Sequence, residues 1–206
     1  MYIARILYPV KVLGPGNRIG IWFDGCPHHC KGCSNLELWD QKEQYRISLE
    51  VLKTLLGKIC STHDVDGFTL TGGDPFAQPD ALAEMLPVLT NISEDILVYT
   101  GFQYEELKAQ YPKLLTQIGV LIDGPYIEER NTGVSLCGSD NQNIIILKPV
   151  LMKSYTTYLR DTQNTIQDFT TTDGVISVGI HRPDYKVTID KLLQNKGLEH
   201  INDKEY

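Results

Sequence analysis

The chain has 206 residues, 42% of them hydrophobic and 22% charged, which allows one globular domain with a core, alone or with an appendage. Its formal net charge of −7 lacks the basic footprint of a nucleic-acid-binding protein. It contains no apolar run of about 18 residues, so no membrane span is expected. The N-terminus lacks the long apolar centre and cleavage site of a signal peptide, so a cytoplasmic protein is expected.

The first predicted elements are two short strands, at Tyr2–Val12 and Ile19–Phe23. A helix is predicted at Ser48–Cys60 with Ser48 as its N-cap, and a second at Pro79–Leu86, where Pro87 is expected to end or kink it. The other predicted elements are strands at Gly67–Thr71, Ile96–Thr100, Ile118–Ile122, Asn143–Leu147 and Val175–Ile180, a helix at Tyr104–Gln110, and a helix or strand–helix pair at Tyr185–Lys196.

This alternation of strands and helices predicts an α/β fold with mostly parallel strands, either an open sheet or a partial (β/α) barrel. Chemistry in such folds gathers at the carboxyl ends of the strands. The turns that follow Phe23, Thr71, Thr100 and Ile122 are therefore expected to share one rim. Beyond about residue 149 the chain becomes rich in Thr, Asp, Asn and Gln, so residues 1–148 are predicted to form the core and residues 149–206 a C-terminal extension.

Three of the five cysteines lie within one loop, with the spacing C-x3-C-x2-C: Cys26, Cys30 and Cys33. Thiols stay reduced in the cytoplasm, so clustered cysteines indicate a metal site there. A [4Fe–4S] cluster usually takes four thiolates. Three thiolates with no obvious fourth would leave one iron without a protein ligand, much as catalytic zinc sites keep one coordination position open. The amino and carboxylate groups of a methionine moiety could chelate that iron.

The spacing by itself leaves three other interpretations open. A zinc site could combine the three cysteines with a histidine, although His28 and His29 lie inside the short first spacer and would have difficulty reaching back. A ferredoxin-type cluster would need Cys60 or Cys137 as its fourth ligand. The cysteines could also be buried free thiols, although a loop rich in Gly and His suits that role poorly.

The residues around the cysteines carry a family resemblance. The chain resembles the radical S-adenosylmethionine (SAM) activating enzymes, and it is most similar to the activating enzyme of anaerobic (class III) ribonucleotide reductase. The resemblance runs from about Tyr8 to Leu147 and keeps the order and spacing of its segments. These segments are Gly14–Arg18, Phe23–Asn35 with Trp39, Thr71–Pro75 (Thr-Gly-Gly-Asp-Pro), Val98–Phe102, Leu121–Gly124 and Gly138–Gln142.

The resemblance implies a partial (β/α) barrel of the radical SAM type that holds one [4Fe–4S] cluster and SAM. It assigns Cys26, Cys30 and Cys33 to the cluster and no catalytic residue beyond the cluster and the SAM site. A Gly-Gly-Asp-Pro turn after a strand is common by itself, and Asp123 could simply end a strand. The residues that the resemblance places at SAM are Gly32, Cys33, Ser34, Gly72, Gly73, Asp74, Tyr99, Thr100 and Asp123.

The resemblance also implies an activity and partners. A reduced cluster would cleave SAM to methionine and a 5′-deoxyadenosyl radical, which would take a hydrogen atom from a backbone glycine of a large glycyl radical enzyme. A flavodoxin- or ferredoxin-like protein would supply the electron. The alternatives are a radical SAM enzyme that acts on a peptide or on another glycyl radical enzyme, and a non-catalytic iron–sulfur electron carrier.

Three departures from the family pattern concern the target and not the chemistry. Ser34 stands where many activating enzymes carry an aromatic residue, and Cys137 precedes Gly138 and Ser139 where the reductase activating enzymes tend to have Trp-Arg. The chain beyond about residue 149 has no counterpart in the short reductase activating enzymes. The extension is therefore the expected docking element if the target differs.

Overall fold

The computed structural model describes residues 1–171, 174–182, 184–185, 187–189 and 191. None of the helices in these ranges is long and apolar enough to span a bilayer. The strands are β1 (Ile3–Val10), β2 (Arg18–Phe23), β3 (Gly67–Gly72), β4 (Ile96–Tyr99), β5 (Val120–Asp123), β6 (Asn143–Ile146), β7 (Ile166–Thr171) and β8 (Gly174–Gly179). The α-helices are α1 (Leu49–Cys60), α2 (Pro79–Thr90), α3 (Tyr104–Gln110), α4 (Pro112–Leu115) and α5 (Met152–Asp161).

The main sheet has six strands in chain order, from β1 to β6, and β7 and β8 form a separate antiparallel hairpin. The four central strands run parallel, and β1 and β6 pair antiparallel at the two sides. The fold is therefore α/β with a mixed, mostly parallel sheet, as the sequence predicts. Because β2 to β5 are parallel, their carboxyl ends meet at one edge, called the carboxyl edge below, and their amino ends meet at the opposite, amino edge.

One face of the sheet packs against α1 and α2, whose apolar sides include the fully buried Leu52 and Leu82. The predicted N-cap of α1 is confirmed, since the Ser48 hydroxyl accepts a hydrogen bond from the Val51 N–H. Of the two predictions for Pro87, the one that it ends α2 is wrong, because the helix continues to Thr90, and the one that it kinks the helix stays a prediction. The Pro87 ring is exposed, and the buried Leu89 extends the apolar side past it, so packing holds the last turn.

The other face of the sheet packs against the described part of the chain beyond residue 149. Tyr155 of α5 is fully buried against Leu97 and Val120, and Val178 of β8 packs into a cluster with Trp22. The hairpin also reaches β1, because the Gln167 side chain donates to the Pro9 carbonyl and accepts from the Lys11 N–H. The helix or strand–helix pair predicted at Tyr185–Lys196 lies largely outside the described residues.

A buried ion pair joins three elements at the amino edge. Arg18, at the start of β2, is fully buried and donates to both carboxylate oxygens of Asp95, at 2.8 and 3.0 Å. It also donates to the Thr69 hydroxyl of β3 at 2.8 Å. The Asp95 carboxylate accepts a further hydrogen bond from the Tyr155 hydroxyl at 2.7 Å. A buried charge needs such partners, so this network fixes α5 against the sheet.

Candidate functional site

The turns predicted to share a rim lie side by side at the carboxyl edge. The loop after β2 carries the three cysteines and is called the cluster loop below. Its Gly25 carbonyl accepts a hydrogen bond from the Asp74 N–H, in the turn after β3, at 2.9 Å. The next turns are joined in the same way, since the Thr100 N–H donates to Ile122 and the Gly124 N–H to Phe102. These backbone bonds join the turn after β2 to that after β3, and the turn after β4 to that after β5. The Asp74 side chain links the two pairs into one rim, because it accepts from the Gly101 N–H.

The two glycines after β3 let this turn lie against the cluster loop. Gly72 has a φ of 103°, a left-handed conformation that favours glycine. A Cβ on Gly73 would lie 2.3 Å from the Gly25 carbonyl oxygen, and the Gly73 N–H donates to the Phe23 carbonyl at 2.7 Å. Glycine is therefore required at 72 and 73 because the turn after β3 packs closely against the cluster loop. The contact of these glycines with SAM stays a prediction.

Asp74 is buried and its carboxylate joins three parts of the rim. It accepts hydrogen bonds from the Phe76 N–H in its own turn (2.9 Å) and from the Thr100 hydroxyl (3.0 Å) and Gly101 N–H (2.8 Å) after β4. The Nε2 atom of His28 in the cluster loop lies 2.9 Å from the same carboxylate. Because a carboxylate only accepts, His28 carries its proton on Nε2. Asp74 therefore fixes the turn and ties it to the cluster loop.

The cysteine sulfurs of the cluster loop lie near backbone N–H groups. Partial burial raises the pKa of Cys26, and the N–H groups of His28 and His29 partly oppose this rise. Burial likewise raises the pKa of Cys33, whose Sγ accepts a hydrogen bond from the Asn35 N–H at 3.4 Å. Such donors stabilise a thiolate, which is the form that ligates iron. Neighbouring cysteines also raise the pKa of Cys26 and Cys33, and ligation of one cluster by Cys26, Cys30 and Cys33 stays a prediction.

The two remaining cysteines lie away from this loop. Cys60 ends α1, which leads from the carboxyl edge to the amino edge and so carries Cys60 to the side opposite the cluster loop. Cys137 is buried in the apolar cluster of β5 and α5, and burial raises its pKa to about 11. Neither is placed as a fourth ligand. Within the described ranges, no three His, Cys, Asp or Glu side chains converge on a site for a single metal ion.

Gly32 and Ser34 are exposed on the cluster loop. Gly32 has a φ of 72°, and a Cβ there would lie 2.5 Å from a carboxylate oxygen of Glu128, in the segment that follows β5. Lys31 forms ion pairs with Glu128 (3.2 Å) and Glu129 (2.7 Å). The segment after β5 therefore covers one side of the cluster loop. Ser34 is open to solvent, and its contact with SAM stays a prediction.

Tyr99 and Asp123 lie at strand ends as predicted, but their polar groups are already used by the protein. The Tyr99 hydroxyl donates to the Leu136 carbonyl at 2.9 Å. The Asp123 carboxylate accepts from the Tyr104 N–H at 2.7 Å and from the Asn143 side-chain amide at 2.9 Å. Both residues hold the segments that border the rim, and their contact with SAM stays a prediction.

Two residues of the site, His28 and Trp39, were not predicted from the sequence. In the sequence His28 appears only as a poor zinc ligand, whereas in the structure it pairs with Asp74 and its ring packs edge-on against Phe102, with centroids 4.6 Å apart. Trp39 appears in the sequence only as part of a segment that carries the resemblance, with no role of its own, yet its ring stacks on His29. The only available signals were two histidines inside a cysteine spacer and a tryptophan shortly after it.

Comparison with known proteins agrees with this geometry. Residues 12–145 match the family model described as a 4Fe-4S single cluster domain. The chain is 34% identical over 145 residues to the anaerobic ribonucleoside-triphosphate reductase-activating protein of Vibrio cholerae, an alignment that covers 66% of this chain and 93% of the relative. The chain belongs to this family of activating proteins. Its relatives of the same name include those of Enterobacteria phage T4, at 31% identity, and Escherichia coli K12, at 29%.

Membership in the activating-protein family confirms the predicted enzyme class, a radical SAM activating enzyme with a [4Fe–4S] cluster and SAM as cofactors. The family model ends at residue 145. Because the alignment covers 93% of the Vibrio cholerae relative but only 66% of this chain, most of the chain beyond the sheet has no counterpart there.

Proposed function

We propose that this activating protein installs a glycyl radical on an anaerobic ribonucleoside-triphosphate reductase. The observation that carries the proposal is the junction at the carboxyl edge, where the Asp74 carboxylate and N–H join the Gly-Gly-Asp turn to the cluster loop. The names of the relatives support the reductase as the target. We also propose that the sheet and its helices form a partial (β/α) barrel. The mostly parallel order of the strands supports this more specific fold.

The proposed roles follow the rim. Cys26, Cys30 and Cys33 would ligate the cluster. Asp74 would hold the Gly-Gly turn at a fixed distance from the cluster loop, so that the amino acid end of SAM meets the cluster and the turn together. The remaining proposed SAM-binding residues border the same edge: Gly32, Ser34, Gly72, Gly73, Tyr99, Thr100 and Asp123.

When bound, the cofactors supply a reductive cleavage: one electron converts SAM to methionine and a 5′-deoxyadenosyl radical, which takes a hydrogen atom from a glycine Cα and becomes 5′-deoxyadenosine. The electron would come from a flavodoxin- or ferredoxin-like protein in the cytoplasm. The protein's own contribution is positioning. The N–H groups near the cysteine sulfurs stabilise thiolates, and the His28–Asp74 contact holds the two segments together.

The chemistry is tested by anaerobic reconstitution, with iron and sulfide counted and 5′-deoxyadenosine assayed after addition of SAM and dithionite. We expect about four irons per chain in the wild type, in Cys60→Ala and in Cys137→Ala. Alanine at Cys26, Cys30 or Cys33 should abolish 5′-deoxyadenosine formation. Bound zinc without 5′-deoxyadenosine in the wild type, or loss of the cluster in Cys60→Ala, would overturn the proposal.

The target is tested by adding the reductase expressed from the same source. We expect the reduced activating protein and SAM to produce the electron paramagnetic resonance (EPR) doublet of a glycyl radical on the reductase. A reductase variant with alanine at the radical glycine is the control, and it should show no doublet. SAM cleavage without a doublet on the wild-type reductase would leave the enzyme class intact and remove this target.

A second target class is favoured by one observation, the large unmatched part of the chain that packs on the sheet. If this part docks a peptide or a different glycyl radical enzyme, its exposed hairpin residues should matter. We expect Thr170→Arg and Val175→Asp, both at exposed positions, to reduce target modification and leave uncoupled SAM cleavage unchanged. Full activity of both variants on the reductase would argue against docking through the hairpin.

A further inference from the structure

The Trp39 indole is a hydrogen-bond donor without a partner. Its Nε1 atom is buried, and no acceptor within the described ranges meets it in hydrogen-bond geometry. An indole N–H can only donate, and a buried donor left unpaired is unfavourable. Buried indole N–H groups usually find a partner, so this one indicates an acceptor supplied when the site is complete.

The position of the indole is fixed from three sides. The Trp39 carbonyl accepts a hydrogen bond from the Cys26 N–H at 2.9 Å, and the preceding Leu38 carbonyl accepts from the Gly25 N–H at 2.9 Å. The Leu38 side chain is fully buried and anchors this short segment. The ring itself stacks on His29 with centroids 4.6 Å apart and planes at 16°. The indole is thus part of the cluster loop's wall.

The sulfur of Cys33, on the same loop, is a suitable acceptor. The Trp39 side chain interacts with this thiol, but its N–H is not in hydrogen-bond geometry with the sulfur. The Asn35 N–H already donates to the Cys33 Sγ at 3.4 Å. A thiolate accepts hydrogen bonds more strongly than a thiol, so ligation of iron by Cys33 would convert a weak contact into a charge-assisted one.

We propose that the Trp39 indole N–H donates a hydrogen bond to the Cys33 thiolate when that thiolate ligates the cluster, and that this bond sets the reduction potential of the cluster. Hydrogen bonds to ligand sulfurs stabilise the more negatively charged, reduced cluster and so raise its potential. Trp39 is then a positioning residue that acts through Cys33, and His29 keeps its ring in plane. The inference rests on the assignment of Cys33 as a ligand in the proposed function.

The first test compares reconstituted wild type with Trp39→Phe, which keeps an aromatic ring and removes the N–H. We expect the variant to bind as much iron as the wild type. Its midpoint potential, measured by an EPR-monitored titration, should be more negative by about 59 mV. For a one-electron couple this shift is a tenfold change in the equilibrium constant of reduction. Trp22→Phe, which removes the other indole N–H of the chain and keeps an aromatic ring, is the matched control and should keep the wild-type potential.

The second test does not depend on the folding of a variant. Wild-type protein labelled with ¹⁵N in its tryptophan indoles is reduced, and pulsed EPR is used to look for an indole ¹⁵N and an exchangeable proton coupled to the cluster. We expect both couplings in the wild type and in Trp22→Phe. If Trp39→Phe assembles no cluster, the couplings in the wild type decide the question.

Two results would overturn the inference. One is a fully loaded Trp39→Phe protein with an unchanged potential, and the other is a loaded, reduced wild type without indole coupling. Either result leaves the cluster and 5′-deoxyadenosine formation in place, so it does not touch the proposed function. A wild type that assembles no cluster would instead remove both.

Discussion

Two buried carboxylates lie at opposite edges of the same sheet, and the protein satisfies them in different ways. Asp95 at the amino edge faces the full charge of Arg18, with the Tyr155 hydroxyl as an additional donor. Asp74 at the carboxyl edge has no Lys or Arg partner among the described residues and accepts from backbone N–H groups, the Thr100 hydroxyl and the His28 ring. One network pairs the carboxylate with a guanidinium, whereas the other surrounds it with hydrogen-bond donors from three segments of the chain.

The two networks correspond to two roles: the amino edge is structural, and the carboxyl edge borders the proposed cofactor site. The Arg18–Asp95 pair closes the amino edge and joins the core to α5, so its consequences should be seen in stability. The Asp74 network joins two segments that border a cofactor site, and its donors are small groups that need not fill the space around them. A cationic partner as large as arginine at Asp74 would occupy room at the rim. We therefore expect changes at the two edges to separate stability from cofactor binding.

The largest expected effect is a loss of stability when the positive charge of Arg18 is removed from the amino edge. Arg18→Met leaves the Asp95 carboxylate partly buried without its counter-ion, and breaking such a pair costs about 3–5 kcal/mol. The free energy of unfolding in urea measures this loss. The exposed pair of Arg46 and Glu43 provides the control, since Arg46→Met should leave stability nearly unchanged. Equal effects of the two variants would contradict the assignment of Arg18 as a structural centre.

A smaller loss of stability, accompanied by a loss of SAM binding, is expected at the carboxyl edge. Asp74→Asn places an amide NH₂ among N–H donors and should cost about 1–3 kcal/mol of unfolding free energy. The cluster-loaded variant should also bind SAM at least tenfold more weakly, as measured by calorimetry. Asp80→Asn, at an exposed position in the first turn of α2, should match the wild type in both measurements. Unchanged SAM affinity in Asp74→Asn would remove Asp74 from the site.

A third effect tests the link between the amino edge and the C-terminal segment. Tyr155→Phe removes only the hydroxyl that donates to Asp95, which Arg18 still neutralises, so we expect a loss of about 1 kcal/mol. The exposed tyrosine–carboxylate pair of Tyr2 and Glu43 is the matched comparison, and Tyr2→Phe should change the unfolding free energy little. No loss in Tyr155→Phe would show that packing alone, and not the hydrogen bond, holds α5.

The smallest effect is expected at a residue that belongs to neither edge network. Cys137 is 1% exposed, and burial raises the pKa of its thiol to about 11. At pH 8 only about 0.1% of it is thiolate, so iodoacetamide should leave it unmodified in the folded protein. Mass spectrometry should detect its alkylation only after unfolding in urea. Rapid modification in the native state would contradict the burial of Cys137 behind β5.

The sequence by itself determined most of the local elements and indicated the chemistry of the site, but it predicted none of α4, α5 and β7. The apolar patterns specified most strands and helices because side-chain periodicity follows directly from backbone geometry. The spacing of Cys26, Cys30 and Cys33 indicated a metal centre, and the order of the matching segments indicated the enzyme family. The exception at Pro87 is also local, since an exposed proline interrupts one hydrogen bond without overcoming the burial of Leu89.

Only the tertiary structure decided which polar groups meet. The contact of His28 with Asp74 spans 46 positions of the chain, and that of Asp95 with Tyr155 spans 60. Composition predicted a C-terminal extension beyond residue 149 and left open whether it packs on the core; the described part of it buries Tyr155 and Val178 against the sheet. Partners this distant in sequence are chosen by the topology of the sheet, which brings the ends of parallel strands to one edge and lets a later helix cover a bare face.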